Sequence, residues 1–306
     1  MKQRIKIAST GTGSTDGLAS QVLCKLNVAM FAGYYGYEYI DIPFDDSIIK
    51  GNNQHHYGDY STALQNIFFS FPGYRKINPL GDVYENIKII ELSKIDPKPS
   101  SIDELRLAIN FLITSESSNY ELFILNGFHN LFHDKGFLYN RVSRGMNLVI
   151  DPLYSHSNLN LNDKLKICVH IRRGDITTHE VNFSRIIPMN YFNNVVDSVK
   201  KVLFNHGVEF FINLHIEGDS DGFAHQHTKF IDGNPIDSFF DIYSADLVIS
   251  SKSSHSTVPS YLSGKLMIYP SDTWMTILPG WISADKDGFF DESKFITSLK
   301  NYLLMQ

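Results

Sequence analysis

The run Ile167-Cys168-Val169-His170-Ile171 is apolar and largely β-branched, and it stops at Arg172-Arg173-Gly174-Asp175. A short run of this kind reads as a buried strand. Its end in charge is where open α/β sheets bind ligands. Two guanidiniums are costly to bury unpaired, so Arg172 and Arg173 are expected to face a cleft and meet an anion. Guanidinium forks fit phosphate oxygens, and a diphosphate is the natural ligand. The competing arrangement is a surface ion-pair cluster with Asp175 and a neighbouring acid.

Around this run, apolar stretches of strand length alternate with stretches of helical spacing. Strands are expected over 4–8, 37–44, 87–92, 122–125, 209–216, 246–251 and 265–269. Helices are expected over Leu18–Tyr35, from Ser100 or Ser101 to Leu112, and over 135–150, 188–206, 234–245, 253–264 and 291–304. Such alternation fits α/β folding on a parallel sheet. Residues 151–163 are rich in Asn, Ser and Pro and read as a linker, giving one domain over 1–150 and a second over 151–306.

Two further turns follow predicted strands. Ser9-Thr10-Gly11-Thr12-Gly13-Ser14-Thr15-Asp16-Gly17 opens the first helix, where Gly13 and Gly17 let backbone N–H groups approach a phosphate or a sugar hydroxyl. A tight turn with no ligand explains the same residues. The spacing is not that of a dinucleotide fingerprint, which weakens a dehydrogenase reading. Ser253-Ser254-His255 begins a helix after the strand at 246–251 and offers hydroxyls and N–H groups to an anion, although serines are also ordinary N-caps.

Composition narrows the classes. The 306 residues carry a formal charge of -6, which argues against nonspecific nucleic-acid binding. Cys24 and Cys168 are the two cysteines, one in a predicted helix and one in the central strand, and both read as reduced buried thiols. No run approaches the roughly 18 apolar residues of a membrane span, and the start lacks the apolar core of a signal peptide. A cytoplasmic location is expected. His55 and His56 point to opposite faces of an extended chain, so no metal is expected there; they and His129 are candidates for the cleft. Asp219-Ser220-Asp221 matches a short metal-binding pattern but caps a following helix equally well.

His170-x-Arg172-Arg173-Gly174-Asp175 at a strand end resembles the signature of the fucosyltransferase superfamily, which includes α1,2-, α1,6- and protein O-fucosyltransferases. The resemblance implies a GT-B fold, two Rossmann-like domains with parallel sheets facing a central cleft. It implies GDP-fucose as donor, a glycan hydroxyl as acceptor, inversion at the sugar carbon and no metal cofactor. The first domain would then take the acceptor and the second the nucleotide sugar. Gly17-Leu18-Ala19-Ser20-Gln21 is similar to the family's Gly-x-Gly-Asn-Gln segment, with Ala19 and Ser20 as departures. The segment 245–255 is similar to an α1,6-fucosyltransferase stretch ending in Ser-Ser-Gln, with His255 in place of the glutamine.

The resemblance also implies roles. Arg172 would hold the diphosphate, with Arg173 assisting or keeping the site in shape. Glu180, placed as the base of the α1,6 enzymes, would take the acceptor proton, and Asp175 is its rival. His170 would contact the nucleotide. Guanine presents two N–H donors to one carboxylate, and Asp237 is preferred over Asp241 for that contact near Ser253. Alternatives are the same fold with rhamnose, xylose or another hexose, a nucleotide- or sugar-binding module without catalysis, and an NAD-dependent oxidoreductase. Oligomeric state is not readable.

Overall fold

A computed structural model of the chain describes residues 5–9, 18–41, 67–70, 74–76, 84–91, 94–95, 101–127, 147–150, 164–173, 184–216, 221–226, 228–231, 235–273, 277 and 280–304. The chain divides into two compact units, Met1–Asp151 and Pro152–Gln306. The expectations for Gly13, Gly17, His55, His56, His129, Asp175, Glu180, Asp219, Ser220 and residues 151–163 lie outside the described residues.

In the first unit, β1 (Lys6–Ser9) leads to α1 (Leu18–Tyr35), β2 (Glu38–Asp41), β3 (Ile67–Ser70), β4 (Tyr74–Lys76), β5 (Ile87–Glu91), α2 (Ile102–Glu116), β6 (Leu122–Asn126) and β7 (Asn147–Ile150). Five strands form a parallel sheet in the order β4-β2-β1-β6-β5. Val22, Leu26 and Ala29 recur at helical spacing in α1 and are buried, as are Ile7, Ala8 and Ile40 of the strands beside it. α2 starts where its sequence predicts: Ser101 is the N-cap, and its hydroxyl accepts from the Glu104 amide at 3.2 Å. One expectation fails in part. The stretch 135–150 reads as helix; residues 135–146 lie outside the described residues, and Asn147–Ile150 is strand β7, paired antiparallel with β3. Main-chain pairing with a partner about 80 residues away outweighs local spacing, which single-sequence periodicity does not register.

The second unit contains β8 (Leu165–Ile171), α3 (Met189–Asn205), β9 (Phe210–Ile216), β10 (Thr228–Ile231), α4 (Pro235–Tyr243), β11 (Leu247–Ile249), α5 (Ser254–Ser263), β12 (Leu266–Pro270), β13 (Ile282–Ala284) and α6 (Glu292–Leu304). Its six strands are all parallel, in the order β10-β9-β8-β11-β12-β13. Both units therefore meet the α/β expectation of parallel sheets with alternating helices.

The two faces of this sheet differ because side chains alternate along a strand. Leu165, Ile167, Val169 and Ile171 of β8 point to one face and join Ile212, Leu214, Leu247 and Ile249 in a core with Tyr191, Phe192, Val195 and Val199 of α3 and Phe295 and Leu299 of α6. Each fully buried aliphatic or phenyl group there contributes about 1.5–3 kcal/mol, so this face holds much of the unit's stability. Lys166, Cys168 and His170 occupy the alternate positions. In register beside Cys168 and His170 stand Asn213 and His215 of β9. The opposite face thus carries a polar stripe on buried strands, covered by α4 and α5 through the contacts described below.

Candidate functional site

The chain leaves β8 for β9 and β10 on one side, then returns to β11, β12 and β13 on the other. The carboxyl ends of β8 and β11 therefore mark a reversal of strand order, the place where doubly wound sheets bind ligands. Two sequence-predicted groups meet there. Arg172 follows β8 directly, and Ser253 caps α5 after β11. Arg172 Nη1 donates to Ser253 Oγ at 3.3 Å. Ser253 is fully buried, and its hydroxyl also accepts from the His255 amide at 3.2 Å. A guanidinium and the amino end of a ten-residue helix therefore converge, and both attract an anion.

Arg173 has another task. Its Nη1 donates to the Arg172 carbonyl at 3.1 Å and its Nη2 to the Ile187 carbonyl at 2.8 Å. It ties the end of β8 to the segment entering α3. Nearby, Lys252 bonds the Ser184 carbonyl at 3.0 Å and Asp272 at 2.5 Å, which secures the turn before α5 from both sides.

Behind the arginine lie two histidines. His170 is buried, its Nδ1 is 3.0 Å from Ser251 Oγ, and its ring centroid is 5.4 Å from that of His255. Burial, helped by Arg172, pushes the His170 imidazole well below its usual range. Burial, helped by Arg172, pushes His255 down to about 3. Both are neutral near pH 7, so positive charge at the site belongs to the arginine.

Beneath them is a network that sequence reasoning did not assemble. His255 Nε2 is 3.1 Å from Ser238 Oγ, Ser238 Oγ is 3.0 Å from His215 Nδ1, and His215 Nε2 is 2.7 Å from Asp241 Oδ2. Asp241 also receives Lys166 Nζ at 2.5 Å, Asn213 Nδ2 at 2.9 Å and Cys168 Sγ at 3.2 Å. Burial alone would raise this carboxyl, but the His215 hydrogen bond and the Lys166 ammonium outweigh it and hold Asp241 well below the usual carboxylate range. Burial, reinforced by Asp241, raises Cys168 well above the ordinary thiol range. The signal was present as polar residues at every second position, Lys166-x-Cys168-x-His170 and Asn213-x-His215, inside strands that otherwise read as apolar.

The network bears on the nucleobase contact. Asp241, the alternative to Asp237 for a nucleobase, has its carboxylate engaged by N–H and S–H donors. Both cysteines are free and buried, as expected. Asp237 is exposed in the first turn of α4, and Ser254 is half-buried at the start of α5. Cys168, His215 and Asp241 hold ligand-type atoms within 4.8 Å of one another. An added cation there would sit against Lys166 and displace the donors that fill Asp241, so the arrangement is that of an ion pair. Among the described residues, no helix is long and apolar enough to cross a membrane.

No protein-family model matches the chain. No curated protein matches its sequence. Among solved structures, the chain is similar to POFUT1 in complex with GDP-fucose at 11% identity and a TM-score of 0.51, covering 87% of this chain and 95% of that one. It is also similar to NodZ alpha-1,6-fucosyltransferase soaked with GDP-fucose, at 13% identity, 95% and 98% coverage and a TM-score of 0.45. A third similarity is to the iron-containing heptosyltransferase TibC in complex with ADP-D-beta-D-heptose, at 12% identity, 89% and 59% coverage and a TM-score of 0.37. The first of these shows the fold.

Proposed function

We propose that the chain is a glycosyltransferase that moves a sugar, L-fucose from GDP-fucose in the leading reading, to a glycan hydroxyl with inversion and without a metal. The observation that carries this is the junction of Arg172 with the capped amino end of α5, at the strand reversal of a fully parallel sheet. The α/β fold shared with POFUT1, whose structure holds GDP-fucose, supports it. So does the signature from His170 to Asp175.

Sugar transfer asks two things of a protein: stabilise charge developing on the leaving diphosphate, and take the acceptor proton. Arg172, with the α5 amides, takes the first task, and a contact of this type contributes about 3 kcal/mol to the transition state. Arg173 holds Arg172 in place. Glu180 takes the proton, with Asp175 as the rival. Asp237 receives the guanine N–H edge, and Ser253, Ser254, His255 and His170 complete the nucleotide subsite in the second unit. Gly13 and Gly17 belong to the first, acceptor-side unit. One observation favours a second reading, the same chemistry with another nucleotide sugar: His255 stands where the resembling family has an amide donor.

The test is to incubate the protein with GDP-fucose and a mixed oligosaccharide acceptor pool, with and without EDTA. The expected result is EDTA-insensitive GDP release coupled to fucosylated product, with the anomeric configuration inverted by NMR. Transfer from a different nucleotide sugar only would move the assignment to the second reading, and no transfer from any would overturn it.

A further inference from the structure

The line from Asp241 through His215 and Ser238 to His255 spans α4, β9 and α5 and ends beside the arginine site. Its proton positions follow from its far end. Asp241 is an ionised acceptor balanced by the Lys166 ammonium at 2.5 Å, so His215 Nε2, 2.7 Å away, donates to it. His215 is only 2% exposed, and a second cation beside Lys166 would leave net charge out of water. With Nε2 as the donor to Asp241, the Nδ1 of His215 is the acceptor nitrogen of the ring. Ser238 has one hydrogen and gives it to that nitrogen, so its oxygen accepts from His255 Nε2–H. The ring hydrogen of His255 is thereby committed inward.

We propose that Asp241, His215 and Ser238 are positioning residues that lock His255 as the Nε2–H tautomer, so that its Nδ1 accepts a hydrogen bond from the bound nucleotide. Three further facts support this. His255 is half-buried rather than enclosed, and the described residues give its Nδ1 no hydrogen-bond partner. It lies in the first turn of α5, two residues after the hydroxyl that Arg172 touches. Burial also keeps the ring neutral, as an acceptor must be.

The consequence is a division of labour that a glutamine at this position would not impose. A bare imidazole nitrogen repels phosphate oxygens, so the diphosphate falls to Arg172 and the α5 amides. His255 takes an O–H of the ribose or an N–H of the base. This ligand assignment rests on the nucleotide-sugar reading above; the tautomer does not.

The first arm uses ligand-free protein labelled with ¹⁵N-histidine. Long-range ¹H–¹⁵N correlations should show a pyrrole-type Nε2 and a pyridine-type Nδ1 at His255. Ser238→Ala should mix the two tautomers, and Ser238→Thr, which keeps the hydroxyl, should restore one. A ring hydrogen on Nδ1, or a tautomer unmoved by Ser238→Ala, overturns the lock. The second arm measures binding of GDP, 2′,3′-dideoxy-GDP and inorganic pyrophosphate. Ser238→Ala should weaken GDP about fivefold to tenfold, the worth of one hydrogen bond, and leave pyrophosphate unchanged. A penalty that vanishes with the dideoxy nucleotide identifies a ribose hydroxyl as the partner, and one that persists identifies the base. Equal weakening of pyrophosphate overturns the acceptor assignment. If the tautomer result holds but no nucleotide binds the unaltered protein, the nucleotide assignment and the proposed function fail together while the lock stands.

Discussion

Replacing Asp241 by asparagine should be among the most damaging single changes in the second unit, although it alters one atom. Asp241 and Lys166 are both 13% exposed, and Oδ1 of the carboxylate faces Lys166 Nζ at 2.5 Å. Oδ2 faces His215 Nε2, Asn213 Nδ2 and Cys168 Sγ, all donors. An amide has one oxygen, and turning it toward Oδ2's neighbours aims its NH₂ at the ammonium. Lys166 keeps only the Ser244 hydroxyl, 2.7 Å away, and its charge is left buried and unbalanced. Breaking a buried pair on one side costs about 3–5 kcal/mol. For a unit of this size that is a fall of about 6–20 °C in its unfolding temperature. Differential scanning calorimetry reads it, and Lys166→Met in the same chain should return most of the loss, because the isolated charge is then gone. A fall below about 3 °C for Asp241→Asn alone, or a double variant less stable than the single, would refute the ion-pair account.

Acid should weaken the protein in a window set by the two histidines. Both are held below their usual value of 6.5 in the folded state, so below about pH 6.5 the unfolded chain binds more protons, in the case of His255 down to about pH 3. Stability therefore falls as pH falls through that window, by up to about 1.4 kcal/mol per pH unit for each histidine. Urea midpoints at stepped pH check this, and His255→Gln should flatten the slope. Ser253→Ala removes the α5 cap and should cost about 1 kcal/mol by urea titration. Gly264 and Gly288 separate conformational from steric cost. Gly264 ends α5 at φ 65 with open space around a would-be Cβ, so Gly264→Ala should cost about 1 kcal/mol. Gly288, at φ 90, would place that carbon 2.3 Å from the Tyr191 carbonyl oxygen, so Gly288→Ala should cost about 3 kcal/mol or more by the same titration.

The legible parts of this chain were those governed by local chemistry. The helical spacing of α1, the Ser101 and Ser253 caps and the apolar run of β8 each announce themselves within a few residues. So did the placement of Arg172 and Ser253 at strand ends, because α/β topology puts ligands there. What sequence could not supply was pairing. β7 looked helical because its partner β3 is remote, and the short edge strands β10 and β13 have too few residues for a period to show. The relay behind His255 was missed for a related reason. Its members stand on β8, β9, α4 and α5, and only the register of Cys168 with Asn213 and of His170 with His215 brings the polar stripe together. Asp241 illustrates the effect: as a lone acid one turn into a helix it is a candidate for a nucleobase, whereas in the folded unit its carboxylate is already engaged.

The central claim is that Arg172 and the amino end of α5 bind the diphosphate of a guanine nucleotide. Thermal shifts of the purified protein and of Arg172→Ala against GDP, UDP, ADP, dTDP and NAD, each with and without EDTA, test it most directly. Nucleotide at about 100 times its dissociation constant adds about 2.7 kcal/mol to the folded state, a readily visible shift. The account predicts a GDP-selective, EDTA-insensitive stabilisation that Arg172→Ala abolishes. Stabilisation by UDP or dTDP alone, or a GDP shift that survives Arg172→Ala, would contradict it.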